Sequence, residues 1–242
     1  MPMFGVAHSS GFHGRTGLVL LDSIVFMLDM VNRDAGIVNV VNRLVNDICK
    51  ITGIGVTAVY RGGVTFGSHK AGSTYTDMFQ WCVSNLPMAS YEFLLVVSMG
   101  NDSYFSALFE TKGDSSRKAG TLAGIKDFLE LTVEYAETHR LSMMVVYGAS
   151  SAVWGYTDPI ACSYDGHVKL AVQFVEELAH DDLVICNGSN ELSSIVWSDV
   201  VDRIGHLDVR AYQKVVAAMI CWVFRVALCC DDLLFHYVCS KL

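Results

Sequence analysis

Five short apolar runs, separated by longer segments with apolar residues at helical spacing, organise this sequence. The runs lie at 17–22, 55–60, 93–98, 142–147 and 182–186. A strand that is buried on both faces is apolar throughout, whereas a strand with one face in water alternates. Buried strands that alternate with helices predict a parallel sheet whose crossovers place helices on both faces. We therefore expect a flavodoxin-like three-layer α/β/α sandwich with five mainly parallel strands.

The segments between the runs predict the helical layers. We expect helices near 37–51, 74–85, 118–139 and 166–180, and a last helix from about residue 208. Residues 1–16 read as a further strand or as a loop. Hydrophobic residues make up 52% of the 242 residues, enough for a large core, and no linker-like composition interrupts the chain. We predict one domain over 1–242, with a core at about 17–220 and a C-terminal helical tail at 221–242.

Composition narrows the classes of partner and compartment. The net charge of -8 argues against a nucleic-acid partner, because binding to phosphates relies on basic surface. The longest apolar run near the C-terminus, 215–228, is interrupted by Arg225 and is too short for a membrane span. The eight cysteines have no metal-site spacing and lie mostly in apolar contexts. With no apparent signal peptide, we expect free thiols and a cytoplasmic location.

Polar and glycine residues gather where the predicted strands end. Asp22 and Ser23 follow the first run, Gly62, Gly63 and Gly67 the second, and Asn101 and Asp102 the third. Ligands of open α/β sheets bind beyond the carboxyl ends of the strands. A hydroxyl, loop amides and an asparagine, joined by His206 on a loop before the last helix, are the groups that acyl transfer requires. This edge of the sheet is therefore the candidate site.

The order of these blocks resembles that of the SGNH/GDSL hydrolases over about residues 17–220. The blocks are "LLDSIV", "RGGVTFG", "SMGND" and "DRIGHLDVRAY". The resemblance implies a serine esterase or acyl-hydrolase that cleaves a carboxylic ester without a metal or cofactor. It also implies Ser23 as nucleophile and His206 as general base, with the Gly63 amide and the Asn101 side chain forming the oxyanion hole.

The first block, the asparagine block and the last block depart from the family pattern. Leu21 stands where the family has a glycine before its aspartate–serine pair, and Met99 replaces the first glycine of the asparagine block. Arg203 occupies the position of the supporting aspartate, three residues before the histidine. Asp202, four residues before it, is the candidate third member. The alternative is an inactive SGNH-fold module for binding or assembly, part of a larger polyprotein or mobile-element protein.

A second serine competes for the role of nucleophile. Ser10, in "VAHSSGFHG", follows a short apolar run and has Gly14 at a family-like interval. If Ser10 were the nucleophile, the segment "GLVLLDSIVFMLDMV" would become part of a helix. Ser23 is preferred because it follows the stronger strand and keeps the preceding aspartate, although a helix N-cap also explains a serine there.

Two other kinds of site are disfavoured by spacing. "GGVTFG" does not open a helix, as a dinucleotide-binding fingerprint does. His8, His13 and His69 match no standard ligand spacing, which disfavours a metal site. The expected partner is a small ester or acylated substrate, and the sequence leaves both its identity and the oligomeric state open.

Overall fold

The computed structural model describes most of the sheet and four of the helices that cover it. The described residues are 4–11, 14–22, 33–67, 74–98, 101, 116–147, 183–187, 191, 194–195, 197–199 and 207–228. Several predictions fall outside them: the site residues Ser23, Asp202 and His206, the helix near 166–180, and the tail after residue 228.

The sheet contains all five predicted strands and one more. The strands are β1 Gly5–Ser9, β2 Thr16–Leu21, β3 Gly55–Tyr60, β4 Phe93–Ser98, β5 Ser142–Tyr147 and β6 Leu183–Asn187. Their order is β1-β3-β2-β4-β5-β6. Strands β2 to β6 pair in parallel, and β1 pairs with β3 in antiparallel fashion at one edge. The parallel strands thus have the 2-1-3-4-5 order of flavodoxin-like folds, which confirms the predicted fold class.

Helices cover both faces of this sheet. They are α1 Arg33–Thr52, α2 Tyr75–Asn85, α3 Ser116–His139 and α4 Tyr212–Leu228. Buried side chains of α1 and α4 pack with one sheet face, and those of α2 and α3 pack with the other. The last helix, expected from about residue 208, is preceded by a short 3₁₀ turn, Val209–Ala211, whose N-cap is Asp208.

The two covered faces explain why the strand sequences are continuously apolar. Along β2, Val19 and Leu21 face α1 and α4, whereas Leu18 and Leu20 face α2 and α3. All four side chains are buried. Full burial of each such side chain stabilises the fold by about 1.5–3 kcal/mol relative to exposure. A polar residue at any of these positions would be buried in the centre of the molecule.

Helix α4 crosses the predicted boundary between core and tail at residue 220. Trp222, Val223 and Val226 lie beyond that boundary and are buried in the same hydrophobic cluster as Val19 and Leu21. The apolar core therefore extends to at least residue 226. No described helix combines the length and the apolar character needed to cross a bilayer. Among the described side chains, Cys49, Cys82 and Cys221 are free thiols.

Candidate functional site

The strand order creates a crevice between the carboxyl ends of β2 and β4. The chain leaves β2 for β3 on one side and then crosses back to β4 on the other, so the connections diverge at this point. Leu21 pairs with Val97, which brings Asp22 and Ser98 to the same edge. Both residues are buried, Asp22 completely. Such a topological switch point is where open α/β sheets bind ligands.

The segment after β3, residues 61–67, begins beside the end of β2 and is held at both ends. At its start, the Arg61 N–H donates to the Leu21 carbonyl oxygen over 3.3 Å. At its end, Thr65 forms a parallel bridge with Thr74, and the Tyr75 N–H donates to the Thr65 oxygen over 2.9 Å. We call residues 61–67 the glycine segment. Gly63 within it has a φ of 72°, a left-handed conformation that favours glycine.

An aromatic cluster anchors the glycine segment to α2 and α3. The Phe66 ring lies 4.6 Å from the Tyr75 ring and 5.3 Å from the Phe128 ring of α3, between centroids. The Tyr75 hydroxyl donates to the Val97 carbonyl oxygen of β4 over 3.1 Å. At Gly124, α3 approaches so closely that a Cβ there would lie 2.2 Å from the Phe66 oxygen. The glycine segment is therefore fixed against α2, α3 and β4.

Asn101, beyond the end of β4, reaches this segment directly. Its Nδ2 atom donates a hydrogen bond to the Val64 carbonyl oxygen over 2.9 Å. Val64 is the neighbour of Gly63, so Asn101 contacts the residue next to a second predicted site residue from a separate strand end. An asparagine amide carries two N–H groups, and one donor remains after this bond. Gly63 lies in a turn, and among the described residues its N–H donates no hydrogen bond to another backbone group there.

The predicted loop of His206 and Asp202 lies outside the described residues, but its two flanks meet. The Asp208 N–H donates to the Asp199 carbonyl oxygen over 2.6 Å. Lys214 of α4 binds the Asp199 carboxylate over 2.6 Å and the Ser194 carbonyl oxygen over 2.7 Å. Leu207, the residue after His206, is buried in the core. The two ends of the segment 200–207 are thus held together. We call Asp199, Asp208 and Lys214 the base of this loop.

Charged contacts strengthen this base on the side of the 3₁₀ turn. Arg210 donates from its side chain and from its backbone to the Asp208 carboxylate, over 2.8 and 2.9 Å. These hydrogen bonds hold the pKa of Asp208 below its ordinary value. A second Arg210 nitrogen donates to the Ser198 carbonyl oxygen over 2.7 Å. Asp208 is consequently an ionised cap of the turn.

The direction of α4 indicates the edge on which this base lies. Near the end of α4, the Ala227 carbonyl oxygen accepts a hydrogen bond from Arg15 over 2.8 Å. Arg15 immediately precedes β2, so this end of α4 lies at the amino edge of the sheet. A 17-residue helix is about 25 Å long at 1.5 Å per residue. The start of α4, and Asp208 with it, lies toward the carboxyl edge.

Ser10, the alternative nucleophile, lies at the opposite edge from Gly63 and Asn101. Because β1 is antiparallel, Ser9 pairs with Val56 near the amino end of β3. The Ser10 carbonyl oxygen accepts a hydrogen bond from the Cys49 thiol, near the end of α1, over 3.2 Å. A six-residue strand at about 3.3 Å per residue separates the two edges by roughly 20 Å. The part of "GLVLLDSIVFMLDMV" that is described, moreover, lies mainly in β2 rather than in a helix.

Two features of this region escaped the sequence interpretation. The tie of Lys214 to Asp199 joins residues 15 apart, and only the fold brings them together. Arg61 opens the glycine segment, yet its side chain makes no ion pair among the described residues. Its position directly after an apolar strand and before two glycines was the available signal. The described residues contain no group of three or more His, Cys, Asp or Glu side chains that could hold a metal ion.

Comparisons with known proteins agree with the SGNH resemblance at the level of the fold. No family model and no curated protein matches the chain. A catalytic mutant of the acetylxylan esterase Axe2 from Geobacillus stearothermophilus superposes with a TM-score of 0.54 and 11% identity, over 86% of this chain and 93% of that one. LAE5, an alpha/beta hydrolase from the metagenome of Lake Arreo, Spain, gives 0.56 and 11%, over 90% and 97%.

The lipase Lip_vut3 from a goat rumen metagenome is similar to the same extent. It superposes with a TM-score of 0.54 and 11% identity, over 85% of this chain and 95% of that one. Each of these structures is covered almost completely, so the likeness concerns the whole fold. The chain therefore has the fold of an esterase, a lipase and an alpha/beta hydrolase.

Proposed function

We propose that the chain is a serine hydrolase of the SGNH type that cleaves a carboxylic ester at the crevice between β2 and β4. The observation that carries this proposal is the hydrogen bond from Asn101 to Val64, next to Gly63. It holds the Asn101 amide against the residue that follows Gly63, whose N–H is the other implied donor of the oxyanion hole. The shared fold with an esterase and a lipase supports the same type of reaction.

Ser23 is the proposed nucleophile. It directly follows Asp22, which is buried at the end of β2 beside the crevice. Ser10 lies at the opposite edge, where neither Gly63 nor Asn101 can serve it. The Ser23 oxygen attacks the ester carbonyl carbon while His206 removes the hydroxyl proton. The alcohol then leaves with that proton, and water releases the acid from the acyl-enzyme by the same steps.

Gly63 and Asn101 stabilise the oxyanion that forms during both steps. The second N–H of the Asn101 amide is not used by Val64, and the Gly63 N–H is a neighbouring backbone donor. Donors that are fixed before the reaction lower the barrier most, because they need no reorganisation as charge develops. The Val64 oxygen supplies this fixation for Asn101.

The proposed roles of His206 and Asp202 require their segment to reach the crevice from the base that Asp199 and Asp208 form. Several features support this placement: the 2.6 Å bond across the base, the burial of Leu207, and the orientation of α4 toward the carboxyl edge. Asp202 accepts a hydrogen bond from the His206 ring nitrogen that faces away from Ser23. That nitrogen therefore keeps its proton, and the nitrogen that faces Ser23 can accept one.

Hydrolysis of p-nitrophenyl acetate by three proteins tests the proposal. The unaltered chain should hydrolyse the ester, Ser23→Ala should abolish turnover, and Ser10→Ala should retain it. Melting temperatures of both variants should stay close to that of the parent, because single hydroxyl deletions outside the core have small effects. Loss of turnover in Ser10→Ala alone would reverse the assignment. If the unaltered chain has no activity, the proposal fails and the inactive SGNH-fold module takes its place.

A further inference from the structure

Arg61 carries a positive charge that the described protein does not neutralise. Its side chain is part-buried, and its Nη1 atom is buried without a hydrogen-bond partner. No carboxylate among the described residues lies within ion-pair distance of it. Buried polar atoms almost always have a partner, and an unsatisfied charged group is more costly than a neutral one. Arg61 is therefore a candidate anion-binding group.

Within the part of the chain that the structure describes, the Arg61 guanidinium contacts an aromatic ring. The Arg61 Cζ atom lies 5.6 Å from the centroid of the Phe4 ring, and that ring lies 5.7 Å from the Trp81 ring of α2. A cation over an aromatic face gains about 0.5–1 kcal/mol where it is exposed. The contact leaves the hydrogen-bonding capacity of the guanidinium unused. Arg61 is therefore not part of a structural ion pair among the described residues.

The position of Arg61 connects it to the proposed reaction. It is the first residue of the glycine segment, and its N–H is bonded to Leu21, one residue before Asp22. The Cα atoms of Arg61 and Gly63 are at most about 7.6 Å apart, because only two peptide units separate them. Arg61 thus belongs to the same short segment as the Gly63 amide that the ester carbonyl oxygen is proposed to reach.

We propose that Arg61 binds a carboxylate on the ester substrate, so that the preferred substrates are anionic esters. This inference rests on the proposed esterase function and adds its substrate class. A guanidinium matches the planar carboxylate with parallel N–H donors, and such charge-assisted bonds are stronger than neutral ones. The carboxylate belongs to either the acyl half or the alcohol half of the ester, and two substrate pairs separate these cases.

Steady-state kinetics with matched esters tests the proposal. The acyl pair is mono-4-nitrophenyl succinate and 4-nitrophenyl butyrate, which share a leaving group and a four-carbon acyl chain. The alcohol pair is 3-acetoxybenzoate and phenyl acetate. In Arg61→Gln, kcat/KM should fall about tenfold or more for the anionic member of one pair, mainly through KM. The neutral members should stay within about twofold, and Arg61→Lys should recover part of the loss.

Arg43→Gln is the matched control. The Arg43 guanidinium also lies over an aromatic ring, 4.2 Å from the Tyr212 centroid, but Asp47 pairs with it at 3.5 Å. This variant should leave the ratio of anionic to neutral turnover unchanged in both pairs. Equal losses for anionic and neutral esters in Arg61→Gln would overturn the proposal, since they would mean that Arg61 only supports the fold. Unchanged ratios in both pairs would overturn it as well.

A binding measurement separates this proposal from the esterase function. Calorimetric titration with succinate needs no turnover, and succinamide is its neutral counterpart. Succinate should bind the unaltered chain, and Arg61→Gln should weaken that binding about tenfold or more, whereas succinamide should not bind. If no ester is hydrolysed but succinate binding depends on Arg61, the esterase function fails and the anion site stands. If succinate binding is absent or indifferent to Arg61 and neither substrate pair responds to Arg61→Gln, the anion site is wrong even in an active esterase.

Discussion

The Asn101 side chain donates a hydrogen bond from Nδ2 to the Val64 carbonyl oxygen over 2.9 Å. The two residues are 37 positions apart and follow different strands, β4 and β3. Their bond fixes the amide group next to the Gly63 backbone at the switch point of the sheet. This pairing links the fold to the proposed chemistry, because an oxyanion donor must be held in place before the substrate arrives.

Asn101→Ala should lower kcat for p-nitrophenyl acetate by a factor of about 10²–10³ with little change in KM. Loss of a donor that acts chiefly in the transition state has this signature. Asn85→Ala is the control, since the Asn85 amide also donates to a backbone carbonyl, Trp81, but on the exposed face of α2. Equal kinetics for Asn101→Ala and the parent chain would remove Asn101 from the oxyanion hole.

Two glycines of α3 offer a matched test of the support beneath the glycine segment. A Cβ at Gly124 would lie 2.2 Å from the Phe66 oxygen, whereas a Cβ at Gly120 meets nothing within 4 Å. Gly124→Ala should destabilise the protein by about 1–3 kcal/mol, as overpacking does, and should reduce turnover by shifting the segment. Gly120→Ala should be neutral or stabilise α3 by up to about 1 kcal/mol. Chemical denaturation measures both, and similar stabilities would contradict the close approach.

The five parallel strands could be predicted because both faces of the sheet are covered. Side chains such as Leu20 and Leu21 point to opposite helical layers, so no polar residue interrupts the run. Strand β1 gave a weaker signal. Ala7 and Ser9 are buried while Val6 and His8 are exposed, so each side of the strand carries one apolar and one polar residue.

The sequence predicts which edge of the sheet holds the candidate site, but it does not predict the contacts within that site. The carboxyl ends of parallel strands meet, which places Gly63 and Asn101 on one side of the sheet. The sequence contains no signal for the acceptor of Asn101, because the Val64 carbonyl is a backbone group in a loop. The isolation of Arg61 is equally invisible in sequence, since it depends on which carboxylates the fold keeps away.

Lys214→Met should loosen the base of the proposed His206 loop. Its ammonium group binds the Asp199 carboxylate over 2.6 Å, and the Asp199 side chain is only 10% exposed. Loss of a hydrogen bond to such a charged group should destabilise the protein by about 1.5–3 kcal/mol and lower kcat. Lys126→Met is the control, because its pair with Glu130 spans 3.6 Å on an exposed helix face and should contribute less than about 1 kcal/mol. Equal effects of the two substitutions on kcat would contradict a role for this tie.

Cys82 should give the protein an alkaline dependence of stability. Burial raises the pKa of this thiol from an ordinary value of 9.0 to about 12. Between these values the unfolded chain loses the thiol proton while the folded chain keeps it. The free energy of unfolding therefore falls by about 1.4 kcal/mol per pH unit above pH 9 and is unaffected by this group below it. Urea unfolding of the parent and of Cys82→Ala at pH 8, 9 and 10 should show a shallower decline in the variant. Parallel declines would mean that the thiol titrates alike in both states.

Labelling with a fluorophosphonate probe, followed by peptide mapping, tests the central claim most directly. The probe reacts covalently with an activated serine, so it reports the nucleophile without knowledge of the substrate. We expect one adduct, on the peptide that contains Ser23, that is lost in Ser23→Ala and retained in Ser10→Ala. An adduct on Ser10 or any other residue, or no adduct under conditions that label a reference serine hydrolase, would contradict the proposed site.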